Sequence, residues 1–260
     1  MICGIFTRET VFVKRQQRRG NTTLALVRSF KYTFKDKNAR FLILAEFCFL
    51  TGIFGRLGIM SYYFIYVLAA PMGIAAFGTA MTVGMLVVNF YTPKLLNKID
   101  KKYVGVLSCI LQAGCCVAFY FMGEAKVAST VIAVIGFIYG ATNMMTLVSV
   151  SLCGELIDDN WLRTGKRSDG VIVTAVSFST KIANAIGGSV GIVVLGAVGF
   201  VANTEMAAET LTKMNAVINF GPAACFMIAI IPLMMIRMTN AKGMENEKKL
   251  KEMMVKNGGI

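Results

Sequence analysis

The sequence predicts an all-α membrane protein with six transmembrane helices, and three observations carry this prediction. Hydrophobic residues make up 56% of the 260 residues, whereas charged residues make up only 16%. About a quarter of the residues of soluble domains are charged, so the charged fraction of this chain is low for a soluble protein. The mean hydropathy of +0.64 likewise indicates a lipid environment. Apolar runs also recur that are long enough to cross a hydrocarbon core of about 30 Å. They cover residues 41–68, 72–90, 104–122, 127–152, 171–202 and 218–236.

Turn-forming residues separate these runs. Pro71 and Gly73 divide the first run from the second, Pro93 ends the second, and Gly123 follows the third. Each run therefore predicts a separate span.

Basic residues cluster in alternate connections. Most of the 27 Lys and Arg residues precede the first run, follow the sixth, or lie between runs two and three or four and five. Such connections stay on the cytoplasmic side, so we expect a multi-pass protein of the cell membrane with both termini cytoplasmic. The net charge of +13 is interpreted as a topology signal, and no nucleic-acid partner is expected. The predicted organisation is a basic cytoplasmic segment over 1–40, a six-helix bundle over 41–236 and a cytoplasmic tail over 237–260.

Residue usage argues against an enzyme. The chain has no histidine, which excludes Ser-His-Asp and Cys-His catalysis and the common histidine-bearing zinc sites. The seven cysteines lie mostly within the runs without C-x-x-C spacing, which is typical of small apolar packing residues. The sequence therefore predicts neither a catalytic site nor a metal centre.

Lys181 is the only charge between residues 171 and 202. It lies near the middle of its predicted span, where a lysine costs about 2.5 to 3.5 kcal/mol. We therefore expect it to face the interior of the bundle, against a polar partner or a watery cavity. Ser177, Asn184 and Gly188 share its helix face and form a polar stripe with it. A purely structural buried ion pair is the alternative.

Small residues follow another face of the same run. Ala183, Gly187 and Gly191 recur every four residues. This spacing lets two membrane helices approach closely, so we expect another span to pack there.

Arg56 lies about fifteen residues into the first run, and Tyr63 follows one heptad later on the same face. The acidic residue within the runs is Glu46, nearer the cytoplasmic end. The two central cations, Arg56 and Lys181, are therefore not neutralised at mid-depth. We expect a group from outside this chain to supply the anion.

The fourth run carries hydroxyl and amide groups at Thr142, Asn143, Thr146 and Ser149. Thr142, Thr146 and Ser149 share one helix face. Such groups suit a polyhydroxy ligand, and hydrogen bonds between helices are the alternative.

The cytoplasmic connection after the fourth run is dense in mixed charge. Exposed ion pairs are worth about 0–1 kcal/mol each, which suits a gate that opens and closes reversibly. The sequence predicts such a gate, with a static solvated loop as the alternative. The predicted gate residues are Asp158, Arg163, Arg167 and Asp169.

The same connection, Asp158 followed by "LRTGKRSDG" at 162–170, resembles the signature between helices ten and eleven of the glycoside-pentoside-hexuronide:cation symporters, which are melibiose-permease-like members of the major facilitator superfamily. "FLILAEFCFLTGIFGRLGIMSYYFIYV" resembles helix seven of that family, and "KLLNKIDKKYV" resembles the basic loop after helix eight. Lys181 falls where the eleventh helix carries a lysine. The resemblance covers residues 6–237.

The resemblance implies a transporter of two six-helix bundles that couples Na⁺ or H⁺ to the uptake of a sugar or glycoside at mid-membrane. This chain would be the second bundle. The coupling ion would be bound mainly by the N-terminal bundle, which is missing from this chain and is the expected partner; no other cofactor is implied. Lys181 would face the central cavity. The predicted substrate and coupling residues are Lys181, Arg56, Tyr63, Asn143, Ser177 and Asn184.

Two alternatives remain open at this point. A non-transporting membrane subunit or a truncated fragment would use the same six spans, with Arg56 and Lys181 as structural pairing residues. A lipid or lysolipid carrier on the same fold would have an apolar cavity instead of a polar one.

Overall fold

The computed structural model describes residues 36–124, 129–165, 169–202, 204 and 206–256. The described residues form eight α-helices and a π-helical turn, Tyr63–Val67, that extends the first of them. Residues 1–35 of the predicted basic segment lie outside this part. The helices are α1 (Lys37–Tyr62), α2 (Gly73–Leu96), α3 (Lys101–Glu124), α4 (Ser129–Ala141), α5 (Met145–Thr164), α6 (Asp169–Ala197), α7 (Ala208–Met235) and α8 (Asn240–Lys256).

Six stretches of the described chain are long and apolar enough to cross a membrane, which confirms the predicted all-α, six-span fold. Helices α4 and α5 together form the fourth span, Thr130–Thr164. That span continues twelve residues past the predicted end at Leu152, because polar helical turns follow the apolar run. Gly165 then ends α5 with a left-handed φ of 64°, which a side chain would disfavour.

An aromatic cluster fills the core between the first four helices. Tyr63 and Phe64 from the π-helical turn are fully buried, as are Phe119 of α3 and Tyr139 of α4. Phe77 of α2 joins them, with its ring centroid 5.7 Å from that of Phe64 and 6.0 Å from that of Tyr139. These rings hold the spans together by packing and edge-to-face contacts.

The predicted close contact on α6 is confirmed. Ala183 is fully buried. A Cβ added to Gly187 would lie 2.8 Å from the backbone nitrogen of Gly55 on α1, and one added to Gly191 would lie 2.8 Å from a methyl carbon of Ile59. The small-residue face of α6 therefore packs directly on the backbone of α1.

Helices α2 and α4 also cross in backbone contact, at Gly84 and Gly140. A Cβ on Gly140 would overlap the carbonyl oxygen of Met81, whereas a Cβ on Gly78 of α2 would meet nothing within 4 Å. We expect Gly140→Ala to reduce the free energy of unfolding by about 1–3 kcal/mol through overpacking. The measurement is the temperature at which a thiol-reactive dye labels the buried cysteines. Gly78→Ala is the matched control, and equal unfolding temperatures for the two variants would contradict the prediction.

Candidate functional site

The polar stripe of α6 lies on a face that this chain leaves open. Ser177, Lys181 and Asn184 are all exposed, and no described acidic side chain forms an ion pair with Lys181. The predicted place of Lys181 on the wall of a cavity stays a prediction, but its side chain does not face the interior of the described bundle. The physical reason is that the close contact with α1 needs small residues, so Ala183 and Gly187 occupy the buried face instead.

Lys181 is twelve residues from the start of α6, which places its Cα about 18 Å along the helix and near the middle of a bilayer. A lysine facing hydrocarbon at this depth is unfavourable, and its side chain is too far from either surface to reach water easily. The open face of α6 therefore requires protein or water against it.

Arg56 lies in the core, on the opposite side of α1 from that open face. It is 0% exposed, and its Nη1 donates a hydrogen bond to Sγ of Cys116 at 2.8 Å. The guanidinium carbon lies 4.5 Å from the ring centroid of Phe119 and 5.1 Å from that of Tyr139. Aromatic faces thus stabilise this charge where the sequence predicted an external anion.

The structure therefore does not bring Arg56 to the face that carries Lys181. Nε and Nη2 of Arg56 have no hydrogen-bond partner within the described chain. Sequence reasoning placed Arg56 in the middle of its span but gave no signal for the aromatic rings that enclose it, since these come from α3 and α4.

Tyr63 shares the face of Arg56, as the heptad spacing predicted, but this face is the core. Its side chain is fully buried, and its hydroxyl donates a hydrogen bond to the backbone oxygen of Phe119. This contact ties the end of α1 to α3, so the position of Tyr63 is that of a packing residue.

The fourth span is broken in its middle, between Ala141 and Met145, a feature that the sequence analysis missed. Ser108 of α3 spans the break: its hydroxyl donates to the carbonyl of Thr142 at 2.7 Å and accepts from the backbone N–H of Met144 at 3.1 Å. Gln112 of α3 donates to the carbonyl of Tyr139 at 2.8 Å. A break at membrane depth requires such internal partners, and transporters place ligand sites at discontinuous helices.

The four polar residues of this span separate into two groups. Thr142 and Ser149 are buried, and the Thr142 hydroxyl accepts a hydrogen bond from Gln112 at 3.2 Å, which confirms the interhelical alternative for that residue. Thr146 is exposed, whereas Asn143 is half-buried with an Oδ1 that lacks a partner. Thr146 thus reaches the surface, and Asn143 holds a buried acceptor that the described chain leaves unsatisfied.

Glu46 of α1 is also buried, and the sequence analysis assigned it no role. Its side chain is 8% exposed, and its Oε2 has no hydrogen-bond partner in the described chain. A buried carboxyl without a cationic partner is a group that can carry a proton.

The predicted gate residue Arg163 belongs to a charged network at the C-terminal end of α5. Its Nη2 donates to Asp36, which caps α1, and its Nε lies 3.0 Å from Oδ2 of Asp159. The other oxygen of Asp159 lies 3.3 Å from Nζ of Lys242 and 3.2 Å from Nδ2 of Asn246, both on α8. Asp159 is only 5% exposed and is the centre of the network.

The other predicted gate residues are less fully described. Asp158 is half-buried on α5. Arg167 lies outside the described residues, and Asp169 begins α6 with a side chain that also lies outside them. Their role in gating stays a prediction.

Helix α8 is packed onto the bundle, whereas the sequence predicted only a cytoplasmic tail over 237–260. The backbone N–H of Asn240 donates to Oδ1 of Asp100 at 2.8 Å, and its side chain donates to the carbonyls of Leu96 and Ile99 at 2.7 and 2.9 Å. Leu250 is 5% exposed against the bundle. The sequence signal for this packing is weak, because asparagines that cap helix ends resemble ordinary surface residues.

Asp36 gives the network a dependence on pH. Burial opposes ionisation, but the hydrogen bond and charge of Arg163 and the backbone N–H groups of Ala39 and Asn38 outweigh it, so the pKa of Asp36 lies below its ordinary 3.8. A lowered pKa in the folded state gives a stabilisation that is complete above 3.8 and is lost as the pH falls through the folded value. We expect Asp36→Asn to lower the unfolding temperature at pH near 7 and to make no difference in strong acid.

The measurement for Asp36 is the unfolding temperature of both proteins at each pH. Glu247→Gln on the exposed side of α8 is the control, because Glu247 pairs with Lys251 outside this network. A difference between wild type and Asp36→Asn that persists at the lowest pH would contradict the assignment.

Comparison with known proteins supports a transport role. A family model described as "MFS/sugar transport protein" matches residues 1–240. The chain is 25% identical over 240 residues to a putative sulfoquinovose importer of Escherichia coli (strain K12), a match that covers 88% of this chain and 50% of that protein. It is 24% identical over 208 residues to a putative 2,3-dihydroxypropane-1-sulfonate exporter of the same strain, covering 80% of this chain and 45% of that protein.

A third relative is a glucuronide carrier protein homolog of Escherichia coli (strain K12), which is 25% identical over 171 residues, covering 63% of this chain and 37% of that protein. The chain thus spans about half the length of these first two curated relatives. These relatives are transporters, in agreement with the prediction that the chain is not an enzyme. The match over residues 1–240 shows that the chain belongs to the MFS/sugar transport protein family.

Proposed function

We propose that this chain supplies the second six-helix bundle of a cation-coupled sugar symporter. The observation that carries the proposal is the open face of α6, which holds Ser177, Lys181 and Asn184 at mid-membrane depth. Within the described chain, α2 and α6 have 28% and 22% of their apolar stretches buried, against 44–50% for the other four spans. A mid-membrane lysine on such a face is stable against another polar protein surface or a watery cavity, but not against lipid.

The partner that fits this face is a first six-helix bundle. The chain matches about half of the length of the sulfonate exporter and the sulfoquinovose importer, which leaves room in such proteins for a second set of spans. Docking α2 and α6 onto that bundle would enclose a cavity between the halves, with Lys181 on its wall. Asn143 and Thr146 at the broken fourth span would offer further hydrogen bonds to a polyhydroxy ligand.

The chemistry of Lys181 favours a sugar that carries an anionic group. An ammonium group without an acidic partner in the described chain would bind a sulfonate or a carboxylate by a charge-assisted hydrogen bond. The relatives named above include a sulfoquinovose importer, a sulfonate exporter and a glucuronide carrier. Na⁺ or H⁺ would be the coupling ion, and the buried Glu46 is a candidate proton carrier.

The orientation follows from the basic connections. With both termini in the cytoplasm, the network of Asp36, Arg163 and Asp159 would lie on the cytoplasmic side of the plasma membrane. Ion pairs at that end would close the cavity in one state and separate in the other.

Uptake by cells tests the proposal. Cells that lack sugar uptake of their own would express this chain joined to its first bundle, and the accumulation of a labelled glucuronide, a sulfonated hexose and a neutral pentoside would be compared. We expect uptake of an anionic sugar that stops when the Na⁺ or H⁺ gradient is collapsed by an ionophore. Uptake that ignores both gradients would contradict the coupling, and the absence of sugar uptake would contradict the function.

A further inference from the structure

A groove of about 340 Å³ lies between the N-terminal parts of α1 and α6. Its walls are apolar side chains, among them Leu44 and Phe47 of α1 and Phe178 and Ile182 of α6. Ser179 also lines it, but its hydroxyl is already bonded to the carbonyl of Ile43 at 3.3 Å. The groove therefore offers no free hydrogen-bonding group along its length.

A cation stands at one end of this groove. Arg40 lines it one helical turn from the start of α1, about 4.5 Å along the helix axis from Lys37. Both side chains are exposed, and no described acidic side chain forms an ion pair with either. Leu44 and Phe47 follow in the next two turns, at the depth of lipid acyl chains.

The groove is separate from the proposed substrate face. Phe178 and Ile182 are rotated by about 100° around α6 from the stripe of Ser177, Lys181 and Asn184. Apolar side chains line this side of α6, whereas the substrate face is polar.

Leu44 and Phe178 remain 49% and 58% exposed, so the described part of the chain does not cover the groove. Its apolar walls at leaflet depth match hydrocarbon, and the guanidinium at its end matches a phosphate. A free phosphate ion would find no second polar partner in the groove. The guanidinium at the end of the groove and the depth of its apolar walls therefore favour a lipid over a free phosphate ion.

We propose that this groove binds one anionic phospholipid, with an acyl chain between α1 and α6 and the phosphate at Arg40 and Lys37. The site goes beyond sugar transport, because it requires only that α1 and α6 span a membrane. The lipid is a bound component of the fold and not a cargo, since the groove does not reach the open face. The predicted orientation places it in the cytoplasmic leaflet.

Tryptophan quenching tests the site. Trp161 is replaced by phenylalanine, Leu44→Trp places a reporter in the groove, and the full chain is reconstituted in vesicles. Ile231→Trp on α7, where the native side chain is 64% exposed, is the matched reporter for ordinary lipid contact. Quenching by phosphatidylglycerol with brominated chains is compared with quenching by brominated phosphatidylcholine. At position 44 we expect brominated phosphatidylglycerol to be preferred over brominated phosphatidylcholine by about fivefold, and at position 231 we expect no preference. The preference at position 44 should disappear in Arg40→Gln.

Two results would overturn the proposal. Equal preference at the two reporter positions would mean general lipid contact, and the absence of quenching at position 44 would mean that protein covers the groove.

Because a tryptophan could disturb the site, native mass spectrometry of the unmodified chain provides a second measurement. Retained phosphatidylglycerol should decrease in Arg40→Gln and remain in the control Lys98→Gln; equal retention in the two variants would also overturn it. Neither readout depends on sugar uptake, so failure of the lipid site is distinguishable from failure of the proposed function.

Discussion

Replacing Lys181 with alanine is expected to reduce coupled sugar uptake by about 10- to 150-fold. A hydrogen bond from a charged donor is worth about 1.5–3 kcal/mol, which corresponds to this range. The side chain is exposed on α6 and makes no ion pair with a described residue, so its removal should leave the bundle intact. The measurement is initial uptake of the labelled sugar, normalised to the amount of protein in the membrane.

The control for this substitution is Lys213→Ala. Lys213 is also a lysine on a membrane span, but it pairs with Glu209 one turn away near the start of α7. We expect normal uptake from that variant. Normal uptake by Lys181→Ala would remove this residue from the site, whereas loss of the protein from the membrane would assign it a structural role.

Replacing Arg56 with alanine is expected to destabilise the bundle by about 3–5 kcal/mol. The change leaves a cavity of side-chain size in a closed core and removes the cation–π contacts with Phe119 and Tyr139. The measurement is the temperature at which the buried thiols of Cys109 and Cys116 become reactive. The new cavity adjoins Cys116, whose Sγ accepts a hydrogen bond from Arg56 in the wild type, so these thiols should react at a lower temperature than in the wild type.

Arg56→Met separates packing from charge. Methionine fills a similar volume without a buried charge, and such replacements are often neutral or stabilising. We therefore expect Arg56→Met to unfold close to the wild-type temperature. If methionine destabilises the protein as much as alanine does, the charge itself holds the core together, and the packing explanation fails.

The number of spans and their helical nature could be predicted from the sequence, because a membrane span needs an apolar run of a certain length and such a run is visible in consecutive residues. The contact between α1 and α6 was also predictable, since Ala183, Gly187 and Gly191 place small residues at helical spacing. The break at residues 142–144 was not. Its stability depends on Ser108 and Gln112, which lie more than twenty residues away and become partners only after packing.

Only part of the candidate site could be predicted from the sequence, because helical spacing is local and helix packing is not. Helical spacing grouped Ser177, Lys181 and Asn184 correctly, because positions on one face follow from geometry alone. Which way that face points depends on the neighbouring helices. Arg56 and Lys181 looked alike in sequence, yet aromatic rings from other spans surround Arg56 while Lys181 lies on an open face.

The packed position of α8 fixes where the folded unit ends. A chain shortened to Arg237 would keep the six described spans, but Asp159 would lose its contacts with Lys242 and Asn246. The carbonyls of Leu96 and Ile99 would lose their donor in the same step. Proteolytic trimming should therefore stop well beyond the last span, and a reporter fused to this protein belongs after Lys256.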